Sequence, residues 1–392
     1  MLDLDKSGWE TVRLGEVVRP SKEKCDPTDG SVERYVAGEH MDTDDLHIHR
    51  WGDVGDGYLG PAFHRRFHPG QVLYGSRRTY LRKVAVADFD GVCANTTFVL
   101  DAVPTLLSPR FLPFVMSSEP FHAFAVAESR GSVNPYVNWS DIARFEFSLP
   151  PLEEQERIAD LLWAMEEHRE ALTNMERAVG IAVSRSVSER LSRAEHTKRL
   201  GDLAVTKSGP SFAARDVHSS PVDGAVPVLG INNTKPDGSI DLTEVGYVTG
   251  LPVTTRTIGP ASLVMIRTNG NRRRIGNVYR PNENMHGMAV SAFQFLVEPK
   301  CPEDRDYLFV VLGDEVMQSR MSYSASGSTG LGNLAVGWLN ECEVPWHSQS
   351  LRAECVSLSR SRDFSVGRLK DEQSVLAQTR ASLLTDVFGG AA

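Results

Sequence analysis

Two segments of this chain are rich in arginine and contain no acidic residue, which makes them candidate contacts for a polyanion. No acid occurs between Asp56 and Asp88, and a matching gap lies between Glu244 and Glu283. Each gap holds six arginine or lysine residues, although the whole chain has a net charge of −9. Because such side chains bind phosphates by charge, both segments predict contacts with a nucleic acid.

Within each gap, a predicted loop carries side chains that could read bases. Arginine can donate paired hydrogen bonds to guanine in the major groove, and asparagine can pair similarly with adenine. Each cation could equally contact a phosphate or be a solvated surface charge. The candidate DNA-binding residues are Arg65, Arg66, Arg77, Arg78, Tyr80, Arg82 and Lys83, followed by Arg267, Asn269, Asn271, Arg272, Arg273 and Arg274.

Patterns typical of catalysis are incomplete in this sequence. Asn134-Pro135-Tyr136 lacks the second proline of the amino-methyltransferase motif, and no glycine-rich loop for a methyl donor precedes it. Pro236-Asp237 precedes Glu244, but Gly246 stands where a metal-dependent nuclease has lysine. The run Gly327–Gly332, with Ser328 and Thr329, lacks the lysine of a phosphate-binding loop. We interpret these segments as turns and expect no catalytic residue.

Metal-binding and targeting signals are also weak. His40, His47 and His49 are close in sequence, but no second ligand group converges on them by pattern, so we expect no metal site. The five cysteines contain no Cys-x-x-Cys pair, which favours free thiols. We expect a cytoplasmic protein, because no apolar run could cross a bilayer and the first residues lack a signal-peptide pattern.

A long predicted helix that begins after Pro150 and Pro151 organises the chain. Proline suits a first helical turn, and Glu153 and Glu154 place negative charge near the positive end of the helix dipole. Apolar residues then recur at steps of three and four. Roughly 40 residues would give a rod of about 60 Å. The apolar stripe of such a rod requires a partner helix.

A second long helix, from about Gln349 to Phe388, is the predicted antiparallel partner. Charged residues between the apolar positions, including Glu166, Glu170 and Arg177, would leave an exposed face for another protein. The predicted apolar seam consists of Ile158, Leu161, Leu162, Met165, Leu172, Met175, Val179, Leu351, Leu358, Leu369, Leu376 and Leu383.

The two halves of the chain resemble each other. Leu14-Gly15 and Leu200-Gly201 are 186 positions apart, and Gly131-Ser132 and Gly327-Ser328 are 196 apart. Each half reads as short apolar strands followed by helical segments, near 109–128 in the first copy and 303–323 in the second. At both rod starts a glutamine follows a proline by four positions, Gln155 after Pro151 and Gln349 after Pro345. This period predicts tandem domains of mixed α/β structure.

The motif Leu149–Ile158, read Leu-Pro-Pro-Leu-Glu-Glu-Gln-Glu-Arg-Ile, and the ending Leu383–Gly390 resemble the specificity subunit of Type I restriction-modification systems. The resemblance covers nearly the whole chain. It implies two target recognition domains, at 1–149 and 196–345, that each read one half of a split double-stranded DNA site. It also implies two long helices, at 150–195 and 346–392, that form an antiparallel coiled coil, set the spacing and dock methyltransferase subunits.

The same resemblance implies a non-catalytic chain that binds no cofactor and acts in phage defence. S-adenosylmethionine would be carried by two methyltransferase subunits, and restriction or translocase subunits would complete the complex. One alternative is a target-recognition subunit of a related methylation or defence system that lacks the translocating restriction subunit. A second alternative is a long-helix scaffold that binds protein and no DNA.

Overall fold

The computed structural model of the protein describes residues 4–57, 59–327 and 330–389. Ser328, Thr329 and Gly390, which belong to the glycine-containing motifs above, lie outside the described residues. Contacts divide the chain into two compact units, the first formed by Met1–Asn174 with Leu369–Ala392 and the second by Met175–Arg368. Each unit combines a globular head with half of each long helix. We call residues 4–149 head 1 and residues 196–345 head 2.

Two helices are long and the others are short. None of the helices in the described ranges is both long and apolar enough to cross a membrane. In chain order they are α1 (Leu14–Val17), α2 (Leu112–Met116), α3 (Glu119–Ala127), α4 (Trp139–Ile142), α5 (Leu152–Ser192), α6 (Leu200–Leu203), α7 (Arg305–Gly313), α8 (Glu315–Ser324), α9 (Val336–Glu341) and α10 (Gln349–Phe388).

The described strands of head 1 form three sheets, ordered β1-β10, β2-β9-β6-β7 and β4-β3-β8-β5. All pairings are antiparallel except that of β3 with β8. The strands are β1 (Glu10–Arg13), β2 (Val18–Pro20), β3 (Arg34–Val36), β4 (Gly52–Asp53), β5 (Phe63–Phe67), β6 (Val72–Gly75), β7 (Val84–Val86), β8 (Gly91–Ala94), β9 (Thr97–Ala102) and β10 (Glu146–Leu149).

Head 2 repeats this topology with β11-β22, β12-β20-β16-β18 and β13-β15-β14-β19, and its described strands add the pair β17-β21. The pairing of β14 with β19 is parallel, like that of β3 with β8. The strands are β11 (Thr197–Arg199), β12 (Ala204–Ser208), β13 (Val217–His218), β14 (Val226–Leu229), β15 (Gly246–Val248), β16 (Leu263–Ile266), β17 (Thr268–Asn269), β18 (Val278–Tyr279), β19 (Ala289–Val290), β20 (Gln294–Pro299), β21 (Gly332–Asn333) and β22 (Glu343–Pro345).

The central strands read as continuous apolar runs because both of their faces are buried. In β6, Val72 and Tyr74 join the core that packs on the helices, whereas Leu73 joins a second core on the other face. In β16, Leu263 and Val264 divide between two cores in the same way. Alternate side chains of a strand point to opposite faces, so a doubly covered strand shows no polar alternation. The predicted mixed α/β fold with two tandem heads is confirmed.

The helical segment predicted near 109–128 is divided into α2 and α3. The first helix ends at Met116 with Ser117 as its C-cap. Ser118 caps the second helix, since its Oγ accepts a hydrogen bond from the N–H of Phe121. Serine is favoured at this position because it satisfies an N–H that has no partner inside the helix. In head 2, Asp314 caps α8 in the same way, through Val316.

Each long helix is anchored to its own head at the first turn. The buried Gln155 accepts a hydrogen bond from the N–H of Ser108 and donates to the carbonyl of Leu106. At the equivalent joint in the second unit, Arg352 forms an ion pair with Asp304. The backbone bonds from Gln155 to Pro151 and from Arg352 to Ser348 correspond.

Gln349 is not the structural counterpart of Gln155, although each follows a proline by four positions in the sequence. The strand before each helix fixes the alignment, because Arg13 faces Glu146 in head 1 as Arg199 faces Glu343 in head 2. Strand register, unlike a short polar motif, cannot shift by one residue without turning every side chain to the other face. Arg352 is thus the counterpart of Gln155, whereas Gln349 is exposed.

Within the first unit, α5 and α10 are antiparallel. His168 contacts Glu372 at 2.9 Å, and Thr173 contacts Gln373 at 3.3 Å. Glu166, which is fully buried, pairs with Arg380 and with Arg169. The expectation that Glu166 belongs to an exposed charged face is wrong, because the opposite helix supplies a cation that compensates its burial. In the second unit, Arg190 of α5 pairs with Glu354 of α10 at 2.8 Å.

Most of the predicted seam is covered, but three of its members are not. Leu161, Met175 and Leu351 are 44%, 54% and 42% exposed, so the structure corrects their assignment. Leu161 and Leu162 are adjacent, and adjacent helical side chains point about 100° apart, so only one can face the core. The covered members are Ile158, Leu162, Met165, Leu172 and Leu383, which are buried, and Val179, Leu358, Leu369 and Leu376, which are half-buried.

The burial of Leu172, which is 5% exposed, makes a charge at this position costly. We expect Leu172→Asp to lower the free energy of unfolding by at least about 3 kcal/mol, because a carboxylate without a partner would be buried. Urea denaturation followed by circular dichroism measures the change. Met175→Asp is the matched control and should have a small effect. Equal losses in the two variants would show that Leu172 is not part of a buried seam.

Candidate nucleic-acid interface

Two loops of head 1 that are distant in sequence are joined into one surface. The loop after β6, residues 76–83, meets the loop between α3 and α4, residues 129–137. Arg77 and Tyr136 form an antiparallel bridge, and so do Arg130 and Tyr136. The N–H of Val137 donates to the carbonyl of Ser76 at 3.0 Å. We call these segments the paired loops of head 1.

The same arrangement recurs in head 2, between residues 267–275 and the described residues 325–327 and 330–334. Thr268 pairs with Asn333 in the β17-β21 ladder, and Ser326 forms a bridge to Asn333. The N–H of Leu334 donates to the carbonyl of Arg267 at 2.9 Å. These bonds match those of head 1 one for one. The paired loops are therefore a repeated feature of the fold, although their sequences differ.

Exposed cations and aromatic rings lie together on the paired loops of head 1. Arg77 and Arg78 are exposed, and Tyr80 and Tyr136 are 54% and 43% exposed. The Nε–H of Arg78 donates to Oδ1 of Asn134 at 2.9 Å. Cations beside exposed aromatic rings are typical of surfaces that bind nucleic acids.

The paired loops of head 2 present arginine and asparagine. Arg272 and Arg273 are exposed and lie in a short 3₁₀ turn. The Oδ1 of Asn271 caps this turn by accepting from the N–H of Arg273 at 3.1 Å, and Asn269 accepts from the N–H of Asn271 at 2.9 Å. The two asparagines thus restrain the backbone of the loop that carries the exposed Arg272 and Arg273.

Other cations of the first basic segment are engaged within the protein. Arg65 donates to the carbonyl of Thr97 at 3.1 Å, and Arg66 pairs with Asp90 at 3.2 Å. Arg82 pairs with Asp44 at 2.8 Å and with Glu119. Lys83 donates to the carbonyl of Gly38. The segment is acid-free in sequence, but acids from elsewhere in the chain meet it in space, so the six cations do not form one surface.

The ion pair of Arg66 with Asp90 illustrates this neutralisation. Burial alone would raise the pKa of Asp90, but hydrogen bonds from Arg66 and His68 outweigh it and hold that pKa below its usual value. In head 2, Arg267 and Arg274 are similarly engaged. The guanidinium of Arg267 lies 5.6 Å from the ring of Phe295, and Arg274 donates to the carbonyl of Thr234.

The contribution of residues 129–137 was missed by the sequence analysis, which read Asn134-Pro135-Tyr136 only as a turn. Arg130 pairs with the buried Asp141 at 2.9 Å, and Gly131 adopts a positive φ of 94° at the bend. The repeat of a glycine at 131 and 327 was a signal that this turn belongs to the repeated architecture. Its partner loop lies about fifty residues earlier, so spacing alone could not join them.

The segment that resembles a nuclease motif, from Pro236 to Glu244, forms turns. Oδ1 of Asp237 accepts hydrogen bonds from the N–H and hydroxyl of Ser239, at 3.0 and 2.6 Å. Oδ1 of Asp241 does the same for Thr243. Aspartate commonly bonds its own backbone two residues later in this way. These contacts support the interpretation of the segment as a turn.

Asp45, His47 and His49 are brought together, with one ligand atom of each within 4.8 Å of the others. However, the carboxylate of Asp45 also pairs with Arg169 of α5, at 2.8 Å between Oδ1 and Nη2. A guanidinium on the same carboxylate opposes a bound metal cation by charge repulsion. His47 further contacts Glu170 at 3.6 Å. The cluster thus joins head 1 to α5 by charge, within the first unit.

The sequence of the first part of the chain matches a known protein family. Residues 6–179 match the family model described as the Type I restriction modification DNA specificity domain. The Type I restriction enzyme EcoDI specificity subunit of Escherichia coli is 28% identical over 160 residues. That alignment covers 39% of this chain and 33% of the relative, so the match spans about a third of the relative's length.

Two solved structures share the fold of the whole chain. One is a chain from a study of complex assembly and conformational transition of the type I R-M system, with a TM-score of 0.60 and 18% identity over 97% of both chains. The other is the Type-I restriction-modification system S subunit from M. genitalium, with a TM-score of 0.56 and 17% identity. It covers 100% of this chain and 99% of its own.

The fold and the paired loops define a two-headed α/β protein with an antiparallel helix pair, of the architecture found in DNA specificity subunits. The sequence match of residues 6–179 agrees with this architecture. Residues 6–179 therefore carry the domain described as the Type I restriction modification DNA specificity domain, and the whole chain shares the fold of the two solved structures.

The joint between Asp45 and α5 predicts a pH-dependent contribution to stability. Burial would raise the pKa of Asp45, but hydrogen bonds from His47 and Arg169 outweigh it and hold that pKa far below its usual value. This contribution is present above the unfolded pKa of about 3.9 and is lost as the pH falls through the lowered folded value. The hydrogen bond with Asp45 raises the pKa of His47. That contribution is present below about 6.5 and is lost as the pH rises.

We therefore expect the difference in unfolding free energy between the wild type and Asp45→Asn to be largest between about pH 4 and pH 7. Urea denaturation at pH 3, 5.5 and 9 (each about one pH unit or more from these limits) measures it. Asp42→Asn, which removes an exposed carboxylate that pairs with Arg50, is the matched control. A difference that stays constant across this range would contradict the ionic role of Asp45.

Proposed function

We propose that the protein is a non-catalytic DNA specificity subunit in which each head reads one half of a bipartite double-stranded site. The observation that carries this proposal is the repeated pair of loops, because the equivalent loop of each head presents two exposed arginines, although at different positions within the loop. Rigid sheets beneath variable loops are a common way to place recognition residues. The candidate residues on these surfaces are Arg77, Arg78 and Tyr80 in head 1 and Arg272 and Arg273 in head 2.

The local charge supports DNA binding despite the acidic chain. Several cations of the basic segments are neutralised inside the fold, whereas Arg77, Arg78, Arg272 and Arg273 remain on the exposed loops. Contacts between arginine and phosphate give affinity, and paired hydrogen bonds to base edges give specificity. A net charge of −9 then limits non-specific binding elsewhere on the surface.

We further propose that α5 and α10 set the spacing of the half-sites and dock methyltransferase subunits. Equivalent grooves support two docking sites for one kind of partner. A groove of about 650 Å³ lies between α3 and α10 in the first unit, and one of about 1110 Å³ lies between α8 and α5 in the second. Their equivalent lining residues are Glu119, Pro120, Ala123, Ala377, Ala381 and Leu384, and Glu315, Val316, Ser319, Ile181, Arg185 and Ser188.

In this proposal the methyl donor, S-adenosylmethionine, is carried by the methyltransferase partners, of which two copies are bound, and restriction or translocase subunits join the same complex. The match of residues 6–179 to the DNA specificity domain and the likeness in fold to a type I R-M chain support this assembly. The role of the present chain is to select the sequence on which its partners act.

Paired arginine substitutions test the division of labour between the heads. Arg77→Ala with Arg78→Ala should weaken binding at one half-site, and Arg272→Ala with Arg273→Ala at the other. Each lost phosphate contact reduces the salt slope of binding by about one, whereas a lost base contact costs about 1–3 kcal/mol at one base pair. Fluorescence anisotropy with half-site duplex variants at several salt concentrations separates these effects.

Arg13→Ala and Arg199→Ala are matched controls, because both arginines are exposed and ion-paired outside the paired loops. All variants should still co-purify with the methyltransferase subunits. If both double variants bound DNA like the wild type, the paired loops would not be the DNA interface. Loss of the partner in these variants would contradict docking on the helices.

The proposed spacing role predicts a strict separation of the half-sites. Inserting two base pairs between them moves one half-site by about 7 Å along the duplex and about 70° around it. We expect binding to fall to that of a duplex with one half-site, because both heads can no longer engage. Insertion of the same two base pairs outside the site is the control. Unchanged affinity after the internal insertion would show that the helices do not fix the spacing.

A further inference from the structure

Arg78 has a backbone conformation that is unusual for a residue with a side chain. Its φ is 51°, in the left-handed region. The surrounding loops hold it there, since its N–H donates to the carbonyl of Pro135 at 2.6 Å and its own carbonyl accepts from the N–H of Leu81 at 2.7 Å. Left-handed non-glycine residues that are fixed by their surroundings occur preferentially at functional sites.

The side chain of Arg78 is also held in place. Oδ1 of Asn134 accepts a hydrogen bond from its Nε–H at 2.9 Å, although both side chains are exposed. Among the described residues, no other side chain contacts the Arg78 guanidinium by a hydrogen bond or ion pair. The two Nη groups therefore remain available from a guanidinium whose plane is restrained. This is the geometry that paired hydrogen bonds to a base edge require.

We propose that Asn134 is a positioning residue that orients Arg78 to read a guanine in the head 1 half-site. This inference rests on the proposed function and adds a base type and two residues to it. A guanine edge offers O6 and N7 as adjacent acceptors that match the two Nη groups of arginine. A phosphate contact requires only a positive charge and no fixed orientation of the side chain. The nearby exposed Arg77 can supply that charge.

The pair of Arg78 with Asn134 is particular to head 1. The bridge of Arg77 with Tyr136 corresponds to that of Thr268 with Asn333, so Asn269 stands in the place of Arg78 and Leu331 in the place of Asn134. Oδ1 of Asn269 is occupied by the N–H of Asn271. Head 2 therefore cannot read a base by the same pair, and the two half-sites differ at this position.

The test uses the complete complex with its methyltransferase subunits and the target sequence found from methylation of the wild-type host. Dissociation constants are measured for duplexes in which each base pair of the head 1 half-site is replaced in turn. Arg78→Gly removes the side chain and suits the left-handed backbone, so the loop keeps its shape. We expect it to lose discrimination at one G·C pair by about fivefold to 150-fold.

The remaining variants separate orientation from charge. Arg78→Lys should lose discrimination at the same base pair while the salt slope is retained. Lysine keeps the positive charge but lacks the planar pair of N–H donors of the guanidinium. Asn134→Ala should lower the discrimination at this base pair by about two- to tenfold, as expected for the loss of one hydrogen bond, and should not change it at any other base pair. Ser132→Ala, in the same loop, is the matched control and should change nothing. Replacing the guanine by 7-deazaguanine, which lacks the N7 acceptor, should weaken DNA binding by the wild type but not by Arg78→Gly.

Other outcomes overturn the inference. If Arg78→Gly weakens binding to all DNA sequences equally and reduces the salt slope of binding by about one, Arg78 contacts a phosphate. If Asn134→Ala acts at a different base pair from Arg78→Gly, or at none, Asn134 does not position the arginine. A wild-type complex without any preference at the head 1 half-site would instead contradict the proposed function itself, which distinguishes the two failures.

Discussion

A helix of about forty residues with an apolar stripe is not stable alone in water, and this constraint shapes both units of the protein. Each unit covers the stripes by pairing parts of the two long helices and by packing its head onto them. The core of the first unit joins Ile158 and Leu162 of α5 to Leu383 of α10 and to the sheet of head 1. Val187 of α5 and Cys355 of α10 belong to the corresponding core of the second unit.

Charge makes this pairing specific where apolar packing alone would permit sliding. Glu166 is fully buried, and its carboxylate is stable there only because Arg169 and Arg380 both reach it. Asp45 extends the network from the head to α5. A shift of α10 along α5 would remove Arg380 from the buried carboxylate of Glu166, so this ion pair favours one register. The joints at Gln155 and Arg352 then fix where each head meets its helix.

This rigid framework explains how loops can vary while their positions are kept. The backbone bonds between the paired loops are the same in both heads, yet the side chains that they present differ. Arg78 and Asn134 occupy positions that are filled by Asn269 and Leu331 in the other copy. Duplication of a scaffold with independent change of its loops allows one chain to recognise two different half-sites, which is the function that we propose.

The sequence by itself determined the long helices, the duplication and the central strands. These features depend on local periodicity and on apolar runs, which require no knowledge of distant contacts. It also identified the two basic loops, because arginine clusters are visible without a fold. The exposed Leu161 marks the limit of such periodicity, since the helix can bury only one of two adjacent leucines.

Only the tertiary structure decided which charges are available to a partner. Arg66 and Arg82 lie in an acid-free stretch, yet Asp90, Asp44 and Glu119 neutralise them from elsewhere in the chain. The contact of Arg78 with Asn134 likewise joins residues 56 positions apart. Electrostatic interaction depends on distance in space and on burial, and sequence separation specifies neither, so the composition of the candidate surface follows from the fold alone.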